Sequence, residues 1–449
     1  MKTFIALTVA VVVGGLGLVQ DAAAQNLVIT NARILDGRGG VIQGGSVVVR
    51  DGKIVSVTQG AAPSVPGAPA SGARVIDARG MTVMPGFIES HRHPVGGNGD
   101  EWLAQRGTAQ MQEFLDAGFT ALQSAGDSPQ HVVEMRKRIE SGQVKGPRIV
   151  AAGRVALARG GGPAAPAGGR AAGAAPAGRG AGGGAPAGDP ARFDRSRPPL
   201  RPTEPAGKIP DADTIAAVAA LAKTGVDAIK TAIIVTPGGP EVDTLALVVR
   251  EGRKHGLPTF THAVSVEDTL GAVKAGTTSL AHTPHIGQLT PEQAKLIADA
   301  RIPMSSTLAI FIPIFDANDT PLFRDRMPFP WNTISSGGQG PVNARMMVNE
   351  GLVYGYGTDT SWPPKQALES ELRTLHLMFS PKEIVSIMTR NAAAVIGRQD
   401  QLGTLEPGKL ADIVIINGDP LAQIYDLTKV VATIKGGVVV SDRMATAAR

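Results

Sequence analysis

Cysteine is absent from this 449-residue chain. That excludes disulfides and every thiolate metal ligand. A metal here must be held by imidazole, carboxylate or a modified side chain, a donor set that favours zinc, manganese or a similar ion. Aromatic residues are scarce, at 4% of a chain that is 43% hydrophobic, so the core must be aliphatic. Beyond the first 25 residues no apolar run is long enough to read as membrane-spanning. A spread basic surface is missing too. The net charge is +5, yet residues 151–208 hold eight Arg and Lys208 against Asp189, Asp194 and Glu204, a local +6 that leaves −1 elsewhere. Nucleic acid is therefore not an expected partner.

The N-terminus has the layout of a secretory signal peptide over residues 1–24. Lys2 precedes an apolar run over 4–19, and Ala22-Ala23-Ala24 supplies small residues for cleavage before Gln25. The expectation is a periplasmic or secreted protein with no stable membrane anchor after cleavage; an uncleaved anchor is the alternative. A second unusual tract, 160–190, contains only Gly, Ala, Pro and Arg apart from Asp189. It cannot bury enough apolar surface to offset its ordering entropy and reads as a solvated insertion spanning about 158–208. An arginine-bearing flap over a nearby site is the functional alternative.

The remaining chain has two textures. β-Branched runs separated by Gly and Asp turns fill 26–84, as in "GGSVVVRDGKIVSVT", and return at 403–442 in "GKLADIVIINGDP" and "VVATIKGGVVVSD". These ends are expected to meet as one small composite β-sandwich. Over 85–402, apolar strands alternate with helix-like runs. Strands are expected near 86–90, 119–124, 148–152, 228–234, 258–263, 278–282, 303–308 and 353–359. Eight such units imply an α/β (β/α)8 TIM-type barrel.

The chemistry-bearing residues fall at the ends of those strands. In "VMPGFIESHRHPVGG", residues 83–97, His91 and His93 stand two apart and can aim at one point. By themselves they are a weak signal and read more readily as polar residues near a turn. The fourth strand adds Lys230, the fifth His262, the sixth His282 and the eighth Asp359 in "YGYGTDTSWP". Barrel active sites lie at the C-terminal ends of the strands, so all six converge on one mouth. Pairing of Lys230 with Asp227 or Glu241 is its structural alternative. His131, His255, His285 and His376 read as helix or loop residues, and Lys365 and Arg373 as solvated helix positions. Residues 311–331 hold five of the 17 aromatics (Phe311, Phe315, Phe323, Phe329 and Trp331) and read as either a lid over the mouth or packing against outer helices.

These motifs resemble the amidohydrolase superfamily, in its binuclear-metal branch and its prolidase-like, imidazolonepropionase-related group. "PGFIESHRH" resembles the first-strand motif, "GVDAIK" the fourth-strand lysine motif, and "RNAAAVIG" with "GTLEPGKLADIVIINGDPL" the C-terminal signature. The resemblance implies that His91, His93 and Asp359 hold one divalent metal, Zn2+ in the first instance, and His262 and His282 a second. Lys230, carboxylated by CO2, would bridge them. Burial lowers a lysine pKa, a neutral amine can add CO2, and the resulting carbamate offers two oxygens. The implied activity is cleavage of an amide C–N bond by a metal-bridging hydroxide, with Asp359 as general base and then general acid. Dipeptides, N-acyl amino acids or related small amides are the expected substrates; no residue is assigned to substrate binding. The lysine argues against the deaminase branch. Alternatives are a lactonase or cyclic-amide hydrolase with the same centre, and a non-catalytic metal-binding protein on the same barrel. A homo-oligomer is compatible with the sequence. Two departures stand out. Arg92 separates the histidines and should point away from them, since strand neighbours alternate, and Glu89 stands where the family often has Asp.

Overall fold

The computed structural model describes residues 26–61, 73–159, 202–311 and 331–447. The proposed signal peptide, the Gly/Ala/Pro tract and Phe315, Phe323 and Phe329 lie outside the described residues. Among the described residues, no helix is long and apolar enough to cross a membrane.

The chain begins with β1 (Leu27–Leu35), β2 (Val41–Arg50), β3 (Lys53–Gln59), β4 (Arg74–Asp77) and β5 (Thr82–Pro85). Eight barrel strands follow: β6 (Phe87–Arg92), β7 (Phe119–Ala125), β8 (Arg148–Arg154), β9 (Ala228–Ala232), β10 (Thr259–His262), β11 (Ser279–Leu280), β12 (Met304–Ser305) and β13 (Tyr354–Gly355). Each overlaps one of the segments expected from sequence. They pair in chain order, all parallel. Closure comes from backbone bonds between the first and last: Ser90 N–H donates to Tyr356 O at 3.0 Å and Asp359 N–H to His91 O at 2.7 Å. The sheet is thus a nearly closed (β/α)8 barrel. Every residue of β6 and β7 is buried, because a parallel barrel strand is covered on both faces.

Each strand feeds a helix that returns over the outside, such as Gly107–Asp116 after β6, Glu241–Lys254 after β9 and Pro364–Leu375 after β13. Local chemistry starts these helices. Pro129, Pro291 and Pro364 occupy first-turn positions, where a missing N–H costs nothing, and Thr290 forms a capping box with Gln293. Valine, leucine and isoleucine fill the layer between strands and helices. Ala125, Phe260, Ala281 and Val395 form a small apolar cluster of their own.

The two chain ends meet in a second sheet, with β14 (Ile413–Ile416), β15 (Val430–Lys435) and β16 (Val438–Asp442) joining β5 and β1 through β14. Its inner residues come from both ends of the strand order, including Val47 and Ile54 on one side and Val431 and Ile434 on the other. The sheet therefore folds around one shared apolar core. The insertion leaves the barrel after β8, and its described flanks are pinned together by reciprocal backbone bonds between Arg159 and Gly207 at 2.8 and 3.3 Å.

Candidate metal centre and active site

The structure brings all six candidate residues to the C-terminal mouth of the barrel. His91 and Asp359 approach to 3.2 Å, His93 and Asp359 to 3.0 Å, and His282 and Asp359 to 3.9 Å. Lys230 Nζ lies 3.3 Å from His91 Nε2. The His262 and His282 rings are 4.3 Å apart, centre to centre. His91, His282 and Asp359 alone offer three ligand atoms within 4.8 Å of one another.

Hydrogen bonds at the far side of each ring decide which nitrogen faces the centre. His91 Nδ1 sits 2.8 Å from Ala281 O, His282 Nδ1 2.8 Å from Thr307 Oγ1, and His93 Nδ1 3.2 Å from Asp127 Oδ1. In all three the Nε2 atom is left to point inward. Buried His282 Nε2 has no hydrogen-bond partner among the described residues. An orphaned imidazole nitrogen aimed at a carboxylate and two other rings is the donor set of a cation site, and outer partners of this kind orient metal-binding histidines. The residues present fit divalent cations.

The electrostatics agree. Burial, reinforced by the Lys230 charge, lowers the His91 pKa to about 4 and that of His262 to about 3. Burial and the neighbouring His262 hold His282 well below the usual range. These rings are neutral at pH 7, as ligands must be. Burial also brings Lys230 down to about 7, so much of it is a free amine at neutral pH. Burial opposes the charge on His93 as well, but hydrogen bonds to Asp127 and Asp359 outweigh it and lift the pKa to about 9. Asp359 has burial against its ionisation, yet His91 and His93 hold it well below the usual carboxylate range.

The alternative partners for Lys230 are engaged elsewhere. Asp227 pairs with Arg136 and accepts the Ala151 N–H, while Glu241 accepts from Thr236. Arg92 turns outward as expected. Its guanidinium lies 5.2 Å from the centre of the Phe114 ring and donates to Thr358 Oγ1, Thr360 Oγ1 and Trp362 O. Glu89 accepts the N–H groups of His91 and Thr358, both at 3.0 Å, and so ties the first strand end to the eighth. Of the aromatic segment, Phe311 stacks on His285 at 3.8 Å and lies 5.8 Å from His282.

Three contributors escaped sequence reasoning. Asp127 follows β7 and orients His93 while accepting from Ser124 Oγ at 2.7 Å. Its "SAGD" setting, a polar residue just past an apolar strand, is the same signal that exposed Asp359. Thr307 follows β12 and supports His282 from a left-handed backbone, φ +46°. Asp359 is left-handed too, at φ +51°; non-glycine residues pay for such φ values, and they collect at functional sites. Glu371 braces the Thr307 turn. It is fully buried, and its carboxylate accepts Ser306 Oγ at 2.6 Å, Leu308 N at 2.9 Å and Ala309 N at 2.8 Å. No sequence signal separated it from a surface helix glutamate.

Residues 82–440 match the Amidohydrolase family. The chain belongs to the amidohydrolase family. Among curated proteins, it is 26% identical to an imidazolonepropionase of Symbiobacterium thermophilum over 399 residues, 84% of each chain. It is 27% identical to the imidazolonepropionase of Shouchella clausii over 201 residues, 43% of this chain but 40% of that protein, so the chain spans about two fifths of that relative's length. Among solved structures, a Xaa-Pro dipeptidase with bound methionine superposes with a TM-score of 0.71 at 23% identity, covering 92% of this chain and 99% of that one. At that identity the likeness speaks for the fold of this amidohydrolase and not for its substrate.

Proposed function

We propose that this amidohydrolase is an exported, metal-dependent hydrolase that cleaves the C–N bond of a dipeptide, N-acyl amino acid or related amide. The observation that carries the reading is the convergence of tied-off imidazoles, Asp359 and a partly neutral Lys230 on one point at the barrel mouth. In this reading His91, His93 and Asp359 would hold one cation, and His262 and His282 a second. Lys230 would carry CO2 as a carbamate, its amine nitrogen forming the new bond and releasing a proton, and would offer the carbamate oxygens as ligands. Bound cations, zinc in the first instance, supply acidified water and polarisation of the substrate carbonyl.

The chain's own groups do the rest. Asp359, ionised at neutral pH, accepts a proton from the attacking water and returns it to the leaving nitrogen. His91 and His282 stay neutral and fixed in tautomer by Ala281 and Thr307. A cyclic-amide hydrolase or lactonase is the second reading. It is favoured by the curated relatives, whose printed name, imidazolonepropionase, contains a cyclic amide.

The test is a panel of dipeptides, N-acyl amino acids, cyclic amides and lactones on zinc-replete protein, with metal counted per chain. Hydrolysis of a linear amide with close to two ions bound supports the reading. A folded protein that binds no metal and cleaves nothing in the panel refutes it and favours a non-catalytic barrel. Export is tested by N-terminal sequencing of protein from the periplasmic fraction: a start at Gln25 supports cleavage, and an intact Met1 refutes it.

A further inference from the structure

We propose that Arg154 receives a carboxylate of the substrate, so that the enzyme selects amides bearing a carboxylate next to the scissile bond. The inference rests on the hydrolase reading above and names its substrate class. Arg154 is the last residue of β8 and is exposed. It stands in register with Lys230 on β9, and Lys230 in turn with Phe260 on β10. Residues paired across neighbouring strands project from the same face of the sheet. The Phe260 ring lies 5.1 Å from that of His91 at the centre, and Lys230 Nζ lies 4.3 Å from the Phe260 ring centre. Arg154 therefore projects inward at the mouth, one strand away from the proposed bridging lysine.

The side chain is held in place. Its Nε donates to Gly126 O at 2.6 Å. Gly126 has φ +94°, and a Cβ there would fall 2.8 Å from Arg154 Cγ and 3.0 Å from Lys230 Cγ. The two side chains thus pass over the same glycine side by side. With Nε engaged, the two Nη groups remain as donors.

Among the described residues no carboxylate balances the charge of Arg154. Nearby arginines find carboxylates: Arg136 pairs with Asp227, Arg148 with Asp412 at 3.0 Å and Arg159 with Asp213 at 3.8 Å. Among the described residues, Arg154 has no such partner. A fixed guanidinium with two free Nη groups matches the geometry of a carboxylate. It stands beside the place where the amide bond would lie, so the anion it fits is one attached close to that bond.

The experiment compares N-benzoylglycine with its neutral counterpart N-benzoylglycinamide, following benzoate release by the zinc-replete enzyme and binding of each by calorimetry. Arg154→Met is expected to weaken binding and raise KM for the carboxylate about 10- to 100-fold, the range for a charged hydrogen-bonded contact. The neutral amide and the zinc content should be unchanged, and Arg154→Lys should recover part of the loss. An equal loss for both compounds, or loss of zinc, overturns the proposal and makes Arg154 a support for Lys230. Wild-type indifference to the carboxylate, with the variant unchanged, overturns it while leaving the hydrolase reading intact. If the wider panel shows no hydrolysis at all, the hydrolase reading fails. The calorimetric comparison of the two probes then still decides whether Arg154 binds the anion.

Discussion

Glu371 is far from the reacting atoms in sequence, yet its replacement is expected to loosen the metal centre. Its carboxylate satisfies three donors on the turn after β12: Ser306 Oγ, Leu308 N and Ala309 N. That turn holds Thr307 at φ +46° with its hydroxyl against His282 Nδ1. Glu371→Ala leaves the buried Leu308 and Ala309 N–H groups without an acceptor, while Ser306 Oγ keeps Gly357 O at 3.2 Å. At about 1–3 kcal/mol for each, discounted for local relaxation, the loss is roughly 2–4 kcal/mol. Glu371→Gln keeps one acceptor oxygen but turns an NH2 toward a backbone N–H, which costs about 1–3 kcal/mol. Release of Thr307 should also lower zinc affinity by about 10- to 100-fold, the usual effect of losing a ligand's outer hydrogen bond.

The same residue predicts a pH dependence. Burial pushes the Glu371 pKa from 4.5 to about 7. The folded state then binds a proton that the unfolded state has released, so stability falls as pH rises from about 4.5 through 7. The shift corresponds to about 3 kcal/mol. The stability difference between wild type and Glu371→Gln should therefore be largest near pH 5 and narrow toward pH 8. The assay is the unfolding midpoint of both proteins across that range, with zinc retention measured against a competing chelator. Thr307→Val should lose zinc as Glu371→Ala does, the double variant little more, and Thr307→Ser should keep it. A Glu371→Ala protein with wild-type melting and wild-type zinc affinity would refute the reasoning, because the turn would then hold itself.

Asp127→Asn should cost about 10- to 100-fold in zinc affinity by weakening the bond that orients His93, with the fold intact by circular dichroism. Lys230→Ala should abolish the paired site, lowering metal content and activity together, and added short carboxylic acids should restore part of both; full activity without them would remove the carbamate. Arg92→Ala should destabilise by about 3–5 kcal/mol in a denaturant titration, since it leaves Glu89 buried without the neighbouring positive charge and strips donors from Thr358, Thr360 and Trp362.

The barrel and its six strand-end groups were legible because one physical rule marks both. A barrel strand is buried on each face, so it reads as a mainly apolar or small-residue run, and an imidazole, amine or carboxylate near its end stands out against that run. His91, Lys230, His262, His282 and Asp359 were all visible in this way. Glu371, Thr307 and Arg154 were not. Glu371 sits in "ALESELRTL", where Glu369 and Glu371 look alike. Only the docking of helix Pro364–Leu375 onto the turn after β12 buries one and not the other. Thr307 depends on a left-handed φ that its residue type does not announce. Arg154 sat at the edge of a basic, low-complexity tract and shared its composition; the register of β8 against β9 is what turned it toward Lys230. Periodicity along a strand tells which residues share a face. Which strands lie side by side, and therefore which groups meet, is a property of the closed barrel alone.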